Sequence, residues 1–162
     1  MISSQAWSKP VIIESGVSLA LAKERAARIS NIHYQLDLDV PADMHAPIRG
    51  RLVLTFELND SNGPLQLDFQ QPKDHLVSVT SEKGDIDYRF EQEHLVIPSS
   101  ALNQGRNQLL IEFIAGDTSL NRNPDFLYTL FVPDRARTAF PLFDQPNLKA
   151  RHTLSLNVPQ AW

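Results

Sequence analysis

No cysteine occurs in the 162 residues. Disulfides, thiolate metal sites and a cysteine nucleophile are therefore excluded. The compartment stays open, because cysteine-free domains occur inside and outside cells. No run approaches the roughly 18 apolar residues of a membrane-spanning helix. Residues 1–16 (MISSQAWSKPVIIESG) lack the basic and apolar regions of a secretory leader. A cytoplasmic protein and a secreted or periplasmic one with its leader trimmed fit that equally. A basic excess is missing too: 15 Lys and Arg face 19 Asp and Glu, a net charge of −4. That balance weighs against nucleic acid or an anionic membrane as partner. The chemical motifs searched for are absent as well. There is no GxGxxG or GxxxxGK[ST] to cradle phosphates and no GxSxG nucleophile turn. There is no HExxH, the helical histidine pair with its glutamate base. The five histidines, at 33, 45, 75, 94 and 152, offer no helical i, i+4 pair, so no metal site and no catalytic residue is expected in the chain.

What is present reads as folded protein, with 42% hydrophobic and 21% charged residues. Residues 1–16 are expected to be irregular and 17–162 to form one β-rich domain. Ser18–Ile29 (SLALAKERAARI) predicts a helix capped by Ser18, with Leu19, Ala22, Ala26 and Ile29 as its apolar stripe. The period then changes to two. His33–Val40, Arg51–Asn59 and 65–69 alternate apolar and polar residues. Shorter strands are expected at 76–80, 87–90, 94–97 and 126–132, and a last one at Arg151–Val158. Gln108–Ile114 (QLLIEFI) is apolar on both faces except at Glu112, which predicts a central strand. Turn residues punctuate these runs, and 115–125 is a long polar loop. The pattern gives a mainly β fold of sandwich-like or curved sheets with one short N-terminal helix.

Several candidates for chemistry have simpler readings. Asp37 and Asp39 share a strand face, as two catalytic carboxylates could, but a solvated face accounts for them, and for Glu91 and Glu93. His152 lies among apolar positions, as a core or interface histidine would. Asn59-Asp60-Ser61 fits a glycosylation sequon without further support. Residues 122–152 carry five basic and three acidic residues, a net of +2, leaving −6 for the rest. Internal Arg–Asp pairing explains that excess, and docking on an acidic neighbour is the alternative.

One segment is specific. Tyr128–Ala150 reads YTLFVPDRARTAFPLFDQPNLKA and resembles the signature T-Q-F-E-P-x-x-A-R-x-A-F-P-C-F-D-E-P-x-x-K-A. That signature marks the N-terminal domain of aminopeptidase N-like zinc peptidases of the M1 family. Thr129, Phe131, Pro133, Ala136, Arg137, Ala139, Phe140, Pro141, Phe143, Asp144, Pro146, Lys149 and Ala150 match without a gap. The looser resemblance of ARISNIHYQLDLDV, GRLVLTFEL, PLQLDF and NQLLIEF, in the same order, extends it over about residues 17–162.

The resemblance implies a saddle-shaped, mostly β domain that packs on a catalytic domain of the same parent chain and helps shape the entrance for peptide substrates. Zn2+, its ligands and the glutamate base would belong to that downstream domain. So would the GxMEN motif that holds the substrate's amine. The 162 residues then read as one domain of a larger peptidase, inactive alone. Thr129 and Leu130 fall nearest the substrate pocket. Arg137, Phe140, Pro141, Asp144 and Pro146 are expected to build the domain, with Arg137 and Asp144 pairing with each other or nearby backbone. The family's glutamine, which binds the substrate's α-amine, is Leu130 here, and leucine offers an ammonium no hydrogen bond. Leu142 and Gln145 stand where Cys and Glu are usual, and read as packing and surface changes. An apolar surface for the neighbouring domain is expected around Phe140–Phe143 and the last strand. The alternative is a free-standing, non-enzymatic β-sandwich that binds a ligand through its loops.

Overall fold

The computed structural model describes residues 13–162; most of the irregular segment expected at 1–16 lies outside them. The chain opens with helix α1 (Leu19–Arg28), where the Ser18 hydroxyl accepts from the Leu21 N–H as N-cap. The helix runs straight into β1 (Ile29–Asp39), and β2 (Arg49–Leu58) returns antiparallel beside it. Then follow β3 (Leu65–Asp68), β4 (Leu76–Ser81), β5 (Gly84–Asp85), β6 (Arg89–Glu91) and β7 (His94–Ile97). The long β8 (Gly105–Ile114), the short β9 (Leu120–Arg122) and β10 (Leu127–Thr129), and β11 (Ala150–Asn157) complete the strands.

Three sheets result. The largest has six strands in the order β11-β1-β2-β8-β4-β5; β3-β7-β6 form a second sheet and β9-β10 a hairpin. Among the described residues the fold is therefore mainly β with one α-helix, as the period-two runs predict. The inner face of the large sheet carries the core. Leu52, Leu54 and Phe56 of β2 and Leu109, Ile111 and Phe113 of β8 are fully buried against Leu65, Leu67, Leu95 and Ile97 of the second sheet. Gly50 sits directly opposite Phe113, whose ring lies 2.2 Å from where a Cβ would stand, so a side chain at 50 would collide with it.

Some expectations are corrected. Within the helix only Arg25 is buried; of the predicted stripe, Ile29 is buried as the first residue of β1 and Ala22 is half-buried, but Leu19 is 70% exposed and Ala26 is exposed. The helix has rotated to aim Arg25 inward, where an ion pair awaits it. β8 is interior to its sheet, but only alternate residues are buried, because its outer face is open to solvent. The loop 115–125 contains β9, and of 126–132 only three residues form a strand.

Candidate functional site

Two regions carry most of the structure's information. The first is buried. Asp68 ends β3 and makes a two-way backbone bridge with Leu142, at 2.7 and 3.1 Å, which draws the signature segment onto the second sheet. Its carboxylate takes both prongs of the Arg25 guanidinium, at 2.8 and 2.6 Å, and accepts the Asp144 N–H at 2.8 Å. Arg25 also donates to the Gln66 carbonyl at 2.8 Å and lies over the Phe143 ring. His94 Nδ1 approaches Asp68 Oδ1 to 2.9 Å, off the ideal hydrogen-bond direction. Its Nε2 reaches the carbonyls of Glu14 and Gly16. Burial alone would raise the Asp68 carboxyl, but the His94 ring, Arg25 and the Asp144 N–H outweigh it and hold Asp68 below the ordinary carboxylate range. Tyr34 accepts the Phe143 N–H at 3.0 Å, and burial pushes its phenol far above its usual value.

The signature residues surround this joint. Asp144 Oδ2 accepts the backbone N–H of Arg137 at 3.1 Å, while the Arg137 guanidinium pairs with Asp134 at 3.0 Å. Burial raises the Asp144 carboxyl, partly opposed by that N–H. Phe140, Pro141 and Phe143 are buried and Pro146 is exposed. Phe140 and Phe143 therefore contribute core; of the apolar surface expected around 140–143, Phe140 and Leu142 form part of the floor of an apolar groove beside β11, and Phe143 does not line it. Gln145 is buried as well, donating to the Ala22 carbonyl of α1 at 3.0 Å, so its exchange for Glu is no surface change. Arg25, Asp68 and His94 carry no sequence signature. Their only hint is a charge in each of three otherwise packing segments.

The second region is open. β11 lies parallel to β1 in a register that sets Tyr34 beside His152, Leu36 beside Leu154 and Leu38 beside Leu156 on the inner face. Leu36 is 7% exposed, but Leu154 is 58% and Leu156 53% exposed. The inner face therefore continues one strand past the core that covers it. Across from β11, the β9-β10 hairpin and the segment after it expose Phe126, Tyr128, Leu130 and Val132. Between them runs a groove of about 640 Å³, lined by Leu36, Leu38, Phe126, Phe131, Leu154 and Leu156 among others. Trp162 closes one end, its indole N–H donating to the Pro124 carbonyl at 2.7 Å. Thr129 lines the groove; the Leu130 side chain is exposed beside it, and its N–H donates to the Ser119 carbonyl at 3.1 Å. His152 stacks on Tyr34 at 4.9 Å, and burial against it, with His33 nearby, lowers its pKa.

The remaining candidates disperse. Asp37 faces Arg51 at 3.6 Å, and Asp39 accepts from Asn157 at 2.7 Å. Glu91 pairs with Arg89, and Glu93 accepts from Gln70 and Ser15. Among the described residues, no group of three or more His, Cys, Asp or Glu side chains comes together to hold a metal ion. The described residues thus do not assemble a zinc seat. No helix of the described residues is long and apolar enough to cross a membrane.

A mainly β domain with one helix, a pinned signature segment and an uncovered apolar groove is a recognisable kind of module. The family model for the peptidase M1 N-terminal domain matches residues 30–161. The chain belongs to that family. Aminopeptidase N of Streptomyces lividans is 29% identical over 153 residues, which cover 87% of this chain and 18% of that protein. Among solved structures, native leukotriene A4 hydrolase from Saccharomyces cerevisiae superposes with a TM-score of 0.66 at 20% identity, over 82% of this chain and 24% of that one. An M1 zinc metallopeptidase from Deinococcus radiodurans gives 0.60 at 18% identity, over 80% and 32%. The chain thus spans between 18% and 32% of the length of these proteins.

Proposed function

We propose that this chain serves as the non-catalytic N-terminal domain of a zinc aminopeptidase, a hydrolase that removes N-terminal residues from peptides. Its apolar groove packs on the catalytic domain, and the β9-β10 end, with Thr129 and Leu130, helps shape the substrate entrance. The supporting observation is the exposed inner face of β11. Leu154 and Leu156 occupy core-facing positions of a sheet whose inner face is covered under β2 and β8. An apolar surface of this kind marks a site of association. Zinc and the hydrolytic groups belong to that catalytic domain, a placement supported by membership of a family whose relatives include zinc metallopeptidases. With leucine at 130, that position offers the substrate's ammonium no hydrogen bond, and another group supplies the contact.

An antibody to this chain tests the reading on the native gene product. The expected result is a band several times larger than 18.3 kDa, whose immunoprecipitate releases N-terminal residues from peptides and loses that activity with a zinc chelator. A band near 18.3 kDa without peptidase activity contradicts it and favours a free-standing binding module.

A further inference from the structure

The outer face of the six-stranded sheet, opposite the groove, has two unlike halves. In one half Asp37, Asp39 and Glu112 have partners: Asp37 takes Arg51, Asp39 accepts from Asn157 and Glu112 accepts from Ser78 at 3.1 Å, and Arg49 stands opposite Asp39 among them. In the other half, Arg106, Lys149, Arg151 and His33 gather around a depression of about 720 Å³. Strand register puts them there. Arg151 of β11 stands opposite His33 of β1, His33 opposite Thr55 of β2, and Glu57 of β2 opposite Arg106 of β8.

Glu57 is the one carboxylate lining this depression, and it is already engaged. Its Oε2 accepts from the Asn31 side-chain amide at 2.8 Å. Asn31 reaches it because β1 is irregular between Ser30 and His33, with Asn31 at φ 52°; asparagine tolerates that left-handed conformation better than most residues. Among the described residues, no ion pair joins Arg106, Lys149 or Arg151 to a carboxylate. Three permanent cations therefore face one carboxylate, in a chain whose net charge is −4. A concavity lined mostly by one sign of charge concentrates its field on a counter-ion. The two banks, β11 and β8, are three strand steps apart, about 14 Å between backbones. Long side chains reaching inward shorten that gap to the span of a small ligand with several negative groups.

We propose that this depression binds a small, multiply charged oxyanion of the oligophosphate or polycarboxylate class, held between Arg106 on one bank and Lys149 and Arg151 on the other. The guanidinium fork suits either headgroup, with two parallel N–H donors for two oxygens. Lying on the opposite face of the sheet from the groove, the site stands or falls independently of the docking reading.

The experiment is a titration of the 15N-labelled 162-residue chain with inorganic tripolyphosphate and, separately, citrate, followed by amide chemical shifts. Saturable shifts are expected at 31–33, 55–57, 106 and 149–151, weakening as salt is raised. The triple variant Arg106→Gln, Lys149→Gln, Arg151→Gln, with its spectrum otherwise intact, is expected to bind at least about tenfold more weakly, the loss of one charge-assisted contact. Tighter binding of tripolyphosphate assigns the phosphate class, and tighter binding of citrate the carboxylate class. No saturable shift with either anion, or shifts that the triple variant leaves undiminished, overturns the proposal.

Discussion

Under the β2-β8 half of the large sheet, the inner face is sealed by the second sheet and the signature segment. Under β11 the same face is bare. Leu36 and Leu154 are neighbours in register and of the same type, yet one is 7% and the other 58% exposed. The two halves differ in whether the chain supplies its own cover. The sealed half supplies its own hydrophobic partners and even neutralises a buried guanidinium with Asp68. The open half repeats the inner-face pattern with nothing among the described residues to pack against it. One pattern thus makes core in one place and surface in another on the same sheet, and the docking proposed above is what would cover that surface.

The contrast can be broken most sharply at its sealed end. Asp68→Ala leaves Arg25 buried without its carboxylate and should cost about 3–5 kcal/mol, read as a fall in the urea midpoint. Next comes the matched leucine pair. Leu36→Ala should cost about 2–5 kcal/mol through loss of buried contacts, whereas Leu154→Ala should stay within about 0.5 kcal/mol. Equal costs would mean that β11 is already covered in solution.

Acid sharpens the comparison further. Asp68 is held below the ordinary value near 3.9. The stability it contributes is complete above that pH and is lost as pH falls through the folded-state value. Asp144 runs the other way. Its carboxyl is raised, so its contribution is complete below the ordinary value and is lost as pH rises through the folded-state value. Asp144→Asn keeps an oxygen for the Arg137 N–H, so the variant should gain slightly on the wild type as pH rises above about 4, seen in paired urea titrations. The smallest effect belongs to the open half. His152 should titrate below the usual histidine value near 6.5 in a proton NMR titration. Its contribution to stability is complete above that value and fades as pH falls through the folded-state one. A partner covering the groove should lower it again by added desolvation.

Much of this was legible in the chain. The switch to a period of two at His33 announces the strands, and Tyr128–Ala150 announces the family. The burial of α1 was not, because an arginine on a helix reads as solvent-facing until a carboxylate 43 residues away meets it. For the same reason Asp68 and His94 passed as ordinary polar positions. Phe140 and Phe143 could be assigned to core or surface only once the Asp68–Leu142 bridge had fixed the segment's direction. Alternation in β11 marks which residues share a face, but whether that face has a cover depends on what lies beneath.

The most direct test places a photo-crosslinking amino acid at Leu156, in the groove, and separately at Thr153, on the opposite face of the same strand, in the native gene product. The account predicts that position 156 crosslinks in high yield to a zinc-peptidase domain of the same polypeptide, while position 153 does not. Crosslinking from 156 to no part of such a domain, or equal yields from both faces, would contradict it.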